Sequence, residues 1–421
     1  MRVSSQRGLT EVEADIVDNF NRCIDYLPGD EGVRAIRREA VRLFQKVQLP
    51  TRKIENWHYT NLRVLLKIVS NFSKMNDVQL VDALLPESVV FSIENGKALV
   101  QPEKSNISAE RLVDALAKSL VQIAPVTAAE DFIGQLNTAF FTDGWLLRIP
   151  ENIKLDFPVE LQNIQKGGQS HIFSEIKIER NSQAIIVERQ IGNDEDTFVS
   201  SIASLHVADH GKVTWFLIRD RGINSTQLSR LRAELGKNAQ LSLYVINIGS
   251  QLNRQEIDIE LLEDANFQLR AINLLSEKTH SDLTMTVRHV AEKSTSTEIV
   301  RNIVTGKAHG VFQGMIRVAR EAQKTDARMA CNSLILSDDA EYDAKPELEI
   351  FADDVTCGHG ATVAKIDRDQ LFYLMARGIP SKIARELLIR GFVSELIDDI
   401  KQDEIRTTLN EIIVQWLKDN I

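Results

Sequence analysis

The sequence predicts a mainly β protein, a β-solenoid core flanked by helices. Three observations carry this. From Trp145 to about Val363 the chain is a series of short alternating segments, with no convincing helix of ten residues among them. Similar apolar triplets recur at a period in the twenties, as the coils of a solenoid would. Helical spacing of apolar residues occupies both ends of the chain.

Taken in order, the first ~85 residues read as helical. Thr10 and Glu13 form a capping box, a hydroxyl paired with a carboxylate three residues on, ahead of an amphipathic run. A second helix follows Gly32, with Val33, Ile36, Ala40, Leu43, Phe44 and Val47 at helical spacing, and Pro50 ends it. Its arginines, Arg34, Arg37, Arg38 and Arg42, are expected on a solvated face. Near Phe91 the pattern changes. Asn95-Gly96 between two short apolar runs is a strong hairpin signal. Further helices are expected over Ala109–Ile123 and Ala129–Phe140.

The repeating region follows. Val213-Trp215-Leu217 returns as Leu241-Leu243-Val245 after 28 residues, and as Phe267-Leu269-Ala271 after 26 more. A second series, Ile257-Ile259-Leu261 then Leu283-Met285-Val287, suggests a shift of 26. Turn residues punctuate it at Gly167-Gly168, Gly211-Lys212, Gly236-Lys237-Asn238, Glu263-Asp264-Ala265 and Gly306-Lys307. Periodicity alone leaves an antiparallel sandwich or barrel as the alternative. After Lys365 the helical pattern returns. Asp367 and Gln370 resemble a capping box, Gly378 and Pro380 stop that helix, and Ser381 is expected to cap the next. The face of that helix carries Ile383, Leu387, Leu388, Phe392, Leu396, Ile397 and Ile400. The last helix carries Ile405, Leu409, Ile412, Ile413, Trp416 and Leu417. Such faces must be buried, against the chain's own core or against a partner. The expected domains are 1–85 (helical), 86–365 (β core with its entry segment) and 366–421 (helical).

Composition narrows the function. With 421 residues and a formal net charge of −10, the chain lacks the basic face that nucleic acid demands. No run approaches the ~18 apolar residues of a membrane span, and the N-terminus has no signal-peptide pattern, so a cytoplasmic location is expected. Three scattered cysteines, Cys23, Cys331 and Cys357, suit reduced thiols better than a disulfide framework. No phosphate loop, dinucleotide fingerprint or nucleophile elbow occurs.

The residues with the strongest chemical interest are Cys357 and His359 in Cys357-Gly358-His359. Two residues apart on a strand, a thiol and an imidazole point to one side. Both are soft ligands that suit iron, yet two ligands complete no metal site. Asp353 and Asp354 alternate, so at most one of them faces the pair. On spacing alone a structural reading, a buried cysteine beside a surface histidine, is favoured, because C-x-H is a weak pattern. Cys23 and Cys331 read as buried cysteines. His206 and His210 stand in strand and turn, with no function assigned.

The stretch Leu334–Val363 that contains this pair resembles the SufB/SufD family of iron–sulfur cluster assembly subunits, and the SufD branch in particular. Other stretches agree. Pro50-Thr51-Arg52-Lys53 with Glu55, Trp57, Tyr59 and Thr60 resembles the family's N-terminal motif. Leu136-Asn137-Thr138-Ala139 with Asp143-Gly144 resembles its entry into the core. Arg377-Gly378-Ile379-Pro380 and Arg390-Gly391-Phe392 resemble its C-terminal region. His58 and Gly358 depart from the pattern, where lysine and serine are common. The resemblance implies a right-handed parallel β-helix between helical domains. It implies a scaffold without catalytic activity that pairs with a SufB-type subunit through the core. It also implies docking of a SufC-type ATPase through C-terminal helices, with Phe392, Leu396 and Trp416 as candidate docking residues. Cys357 and His359 would be this subunit's share of an iron or transient cluster site at the interface, with no permanently bound cofactor. A homodimer is possible when SufB is absent. The competing class is a β-helix enzyme acting on carbohydrate.

Overall fold

The computed structural model describes residues 8–72, 81–99 and 106–421. Thr10 caps α1 (Glu11–Cys23) through the expected box: its N–H donates to the Glu13 carboxylate at 2.7 Å, and its hydroxyl accepts from the Glu13 N–H. Asp30 caps α2 (Glu31–Val47), which ends where Gln48 turns left-handed at φ 67°. A short helix α3 (Leu62–Leu65) follows. The hairpin forms as read: β1 (Val89–Glu94) pairs antiparallel with β2 (Lys97–Ala98), and Asn95 and Gly96 both adopt positive φ.

The next helix is much shorter than the sequence suggested. Ser108–Arg111 forms a strand, β3, leaving only α4 (Leu112–Ala117) helical. The cause is pairing: β3 lies antiparallel to β4 (Trp145–Ile149), and that ladder overrides local helical spacing. Between them α5 (Phe132–Phe140) is buried along its whole length, with Asp131 as its cap.

The remaining strands build the solenoid. They are β5 (Val159–Gln165), β6 (Gly168–Ile178), β7 (Gln183–Gly192), β8 (Thr197–Val207), β9 (Lys212–Asp220), β10 (Ser225–Leu235), β11 (Gln240–Ile248), β12 (Leu252–Leu261), β13 (Asn266–Leu275), β14 (His280–His289), β15 (Thr295–Val304), β16 (His309–Val318), β17 (Asp326–Ile335), β18 (Glu341–Ile350) and β19 (Thr356–Ala364). Odd-numbered strands stack in one sheet and even-numbered strands in the other, all parallel beyond β4. Each coil therefore contributes one strand to each sheet, and the sandwich alternative falls.

Register follows the apolar series with one correction. Leu241 pairs with Val213 and with Phe267, as the spacing predicted. In the second series, however, Ile257 pairs with Met285, a shift of 28 rather than 26. A two-residue slip preserves strand parity, so the inward set is unchanged and sequence pattern alone cannot detect it. The turns hold the missing information. Asn181, His210, Asn238, Asp264, Lys293 and Lys324 all have positive φ, one in each successive coil. The N–H of each donates to a carbonyl of the next coil: Asn181 to Asp209, His210 to Lys237, Asn238 to Glu263, Asp264 to Glu292. His210 is thus a turn residue.

Inside the bore, Trp215, Leu243, Leu269 and Phe312 belong to one continuous apolar core. Two helical modules cover opposite sheets. The N-terminal helices and α5 lie on Phe198, Ile202, Leu228 and Leu252 of the even-numbered sheet. Within this module Arg37 departs from the solvated face expected of it. It is fully buried, donates to the carbonyls of Pro28, Thr138, Ala139 and Phe141, and stacks 3.7 Å from the Phe141 ring. Its partners are four backbone carbonyls distant in sequence from the helix face, which a helical wheel does not reveal.

After β19 come α6 (Arg368–Ala376), α7 (Ser381–Asp398) and α8 (Asp403–Asn420). Asp367 caps α6 and Gly378 (φ 87°) ends it, as expected. Ser381 does not cap α7. Pro380 occupies that position, and a proline preset near φ −65° starts the helix without a side-chain bond. The face of α7 is also rotated from the expected one. Ala384, Ile389, Val393, Leu396, Ile397 and Ile400 are buried, while Ile383 and Leu387 are exposed. The α8 face agrees, with Ile405, Leu409, Ile413, Trp416 and Leu417 buried. Both helices pack on Phe216, Ile218, Ile246, Ile272, Leu274 and Ile303 of the odd-numbered sheet.

Candidate functional site

The solenoid ends at β18 and β19, each paired on one side only, with β16 and β17. Cys357 pairs with Ala327 and His359 with Met329. Ala327 and Met329 are buried in the bore, so the same parity turns Cys357 and His359 toward its mouth. The two side chains therefore share a face, as their spacing predicted. Cys357 is half-buried against the core and His359 is exposed. No chain atom lies within 4 Å of where a Cβ on Gly358 or Gly360 would stand.

Burial raises the pKa of the thiol; a hydrogen bond from Ala327 opposes this, and the acidic groups of Asp326 and Glu298 add to it. Asp353 and Asp354 are both exposed in the turn before β19. There Asp354 bonds through its backbone, to Gln323 Oε1 at 2.9 Å and from the Lys324 N–H. Among the described residues no group of three or more His, Cys, Asp or Glu is arranged to hold a metal ion. Cys357 and His359 thus stand as a pair, with no third such side chain grouped with them among the described residues.

Deeper in the bore lies a residue that sequence reasoning passed over. Glu298 on β15 pairs with Met329, the neighbour of His359. It is fully buried, and burial pushes its carboxyl up to about 8. Its signal was present in the alternation Ser296, Glu298, Val300, which places an acid on the inward face. Cys331 is buried two residues beyond Met329, 3.5 Å from the Tyr342 hydroxyl, and burial raises its thiol to about 11. Cys23, on the N-terminal module, is likewise raised to about 11 by burial.

The candidate docking residues stand elsewhere, on the C-terminal module. Leu396 and Trp416 are buried in that module's contact with the odd-numbered sheet, so they hold the helices to their own core rather than face a partner. Phe392 is half-buried beneath the Arg301 guanidinium, 4.9 Å from the ring centre. The exposed apolar side chains of this module are Phe372, Tyr373 and Met375 on α6 and Ile383 and Leu387 on α7.

The family model described as "SUF system FeS cluster assembly, SufBD core domain" matches residues 162–392. The chain belongs to the SufBD family. An iron–sulfur cluster assembly SufBD family protein of Synechocystis is 26% identical, over 90% of this chain and 89% of its own length. The iron–sulfur cluster assembly protein SufD of Escherichia coli is 26% identical over 85% and 87%, and that of Bacillus subtilis 24% identical over 92% and 94%. Carbohydrate chemistry on a β-helix is not favoured by these relatives.

Family membership gives the matching motifs a physical reading, because most of them are joints of the fold. Trp57 is buried beneath Arg254, 3.8 Å from its guanidinium. The Thr60 hydroxyl bonds to His280 Nε2 at 2.9 Å and to the buried Asp282, which also takes Arg254. Asn137 donates to the carbonyls of Ile172 and Ser200 on the sheet. Asp143 accepts from Arg111 and from three backbone N–H groups, those of Ala98, Val113 and Gly144. Here Trp57, Thr60 and Asn137 seat the N-terminal module and α5 on the even-numbered sheet, and Asp143 ties the entry segment together. Cys357, by contrast, packs on the core and takes a hydrogen bond from Ala327 of the neighbouring strand, and His359 is exposed.

Proposed function

We propose that this chain is the SufD-type scaffold subunit of a cytoplasmic iron–sulfur cluster assembly complex, without catalytic activity of its own. One observation carries the reading: a thiol and an imidazole share the mouth of the bore on an edge strand, and among the described residues no further ligand joins them. Free edges of both sheets can be continued by strands of a second solenoid, which is how an open sheet recruits a partner. A SufB-type subunit placed there would complete the coordination of an iron ion or nascent cluster, the cargo of the complex. A site divided between two chains releases its cargo more readily than four thiolates on one chain.

A SufC-type ATPase docks on the C-terminal module in this reading. The exposed Phe372, Tyr373, Met375, Ile383 and Leu387 offer it an apolar face, in place of Leu396 and Trp416. When the SufB-type partner is lacking, a second copy takes the same free edges and a homodimer forms. Anaerobic reconstitution of the three-subunit complex tests the site. Cys357→Ser and His359→Ala should each lower cluster yield while leaving the complex assembled. Unchanged yield in both variants removes them from the site. Leu387→Asp should abolish co-purification with the ATPase without lowering thermal stability, and retained co-purification places docking elsewhere.

A further inference from the structure

Two guanidinium groups are buried in the bore far from the mouth, at the corner where β9 leaves its sheet. Arg219 has no accessible surface. Its Nε donates to Gln190 Oε1 at 2.7 Å, and its Nη1 to Asn253 Oδ1 at 2.9 Å. Its Nη2 donates to Gln255 Oε1 at 2.6 Å and Ser229 Oγ at 3.2 Å. All four acceptors are neutral. Arg221 is equally buried and far less well served. Its Nη1 reaches the Ile191 carbonyl at 3.4 Å, while Nε and Nη2 have no acceptor among the described residues.

The charges do not balance. Glu188 is the acid whose field reaches both groups, and it accepts from Gln190 Nε2 at 2.6 Å. Burial raises its pKa, so it supplies at most one negative charge against two positive ones. Asp220, between the arginines, is exposed on the opposite face of the strand, beside Asp194. Arginine cannot shed its proton to escape the problem. Burial, and then the neighbouring Arg219, pull the Arg221 pKa down to about 9. A buried charge without a counter-charge is among the costliest features a core can hold.

The surroundings offer donors. In the adjacent coil Ile248 pairs with Asp220, and the chain turns at Gly249 and Ser250 over the same corner. The Ser250 hydroxyl is buried and has no partner among the described residues. Nε and Nη2 form the edge of a guanidinium that grips an anion with two parallel N–H groups.

We propose that this corner binds a small inorganic anion of halide size, gripped by Nε and Nη2 of Arg221 with the Ser250 hydroxyl as a further donor. Size follows from packing. The site is wholly interior, and stacked coils stand only ~4.8 Å apart, so an oxyanion or organic acid would force them open. A water molecule bonded to Nε and Nη2 would neutralise nothing.

Bromide is the probe. Crystals of the full chain grown in sodium bromide should show an anomalous bromine peak within hydrogen-bond reach of Arg221 Nε and Nη2. Thermal unfolding in mixtures of sodium bromide and sodium gluconate, at constant ionic strength, should show stability rising with bromide. Above the dissociation constant, each tenfold increase in bromide raises the folding constant tenfold. Arg221→Met should lose both the peak and the bromide dependence. Density without anomalous signal at that position, or equal bromide dependence in Arg221→Met and the parent, overturns the proposal. Should the variant fail to fold, the anomalous map of the parent chain decides alone.

Discussion

Replacing Glu298 by Gln is expected to stabilise the fold in a manner that depends on pH. The carboxyl titrates at 4.5 in an unfolded chain and at about 8 in the bore. Its folded pKa is raised, so the folded state prefers the protonated form. The fold bears no penalty below pH 4.5, a growing one between 4.5 and 8, and a constant one above. Each tenfold preference for the proton is worth about 1.4 kcal/mol, so ionisation costs about 1 kcal/mol at pH 5, about 3 at pH 7 and about 5 at pH 9. Glutamine has the same shape and never ionises. It carries whatever cost its unpaired amide brings, but that cost is the same at every pH. Urea unfolding of both proteins at pH 5, 7 and 9 reads the difference directly, and all other titrations cancel in it. The stability of Glu298→Gln relative to the parent should rise by about 4 kcal/mol from pH 5 to pH 9. A difference that stays flat across this range refutes the reasoning, because it means that the carboxyl is solvated or paired in the folded state.

Other substitutions probe the joints. Arg37→Met strips four backbone carbonyls of their donor and should cost about 3 kcal/mol in denaturant unfolding, whereas a solvated arginine would cost almost nothing. Gly144→Ala would set a Cβ 1.7 Å from the Phe173 carbonyl oxygen, so little folded protein should be recovered, and normal yield would contradict that contact. Trp416→Ala removes a buried indole from under α7 and α8 and should cost about 4 kcal/mol. Hydrogen exchange should show the loss confined to those helices. Thr60→Val takes the hydroxyl from His280 and Asp282 and should cost about 2 kcal/mol. Residues 55–62 should exchange faster, while the alkylation rate of Cys357 stays unchanged.

Much of the architecture was legible because solenoid coils repeat a two-residue parity. Val213, Leu241 and Phe267 face inward whichever coil length is assumed, so the fold class survived the error at Ile257 and Met285. What escaped was set by contacts distant in sequence. Ser108–Arg111 is a strand because β4 lies beside it. Arg37 is buried because loop carbonyls near residues 28 and 138–141 converge on it. The rotated face of α7 depends on the outer surface of β13 and β15, which period-two alternation leaves unspecified. Parity also placed Cys357 and His359 on one face. It could not tell that the bore opens there, since nothing in the spacing of a last coil differs from that of an inner one.

That difference separates two kinds of residue in the motifs of this chain. Thr60, Asn137 and Asp143 spend their hydrogen-bonding capacity inside the molecule: Thr60 alone reaches His280 and Asp282 across more than 200 residues. Loss of such a group leaves a buried partner unsatisfied, so its effect must appear as stability. Cys357 and His359 carry a lighter obligation. Pairing with the buried Ala327 and Met329 fixes their direction, and no group of three or more metal-binding side chains forms among the described residues. Their loss should therefore leave the fold intact and appear only when a second chain or a metal ion is present. Residues whose removal is silent in the isolated subunit are the ones an assembly interface would own, and the mouth of the bore is where the described chain leaves them.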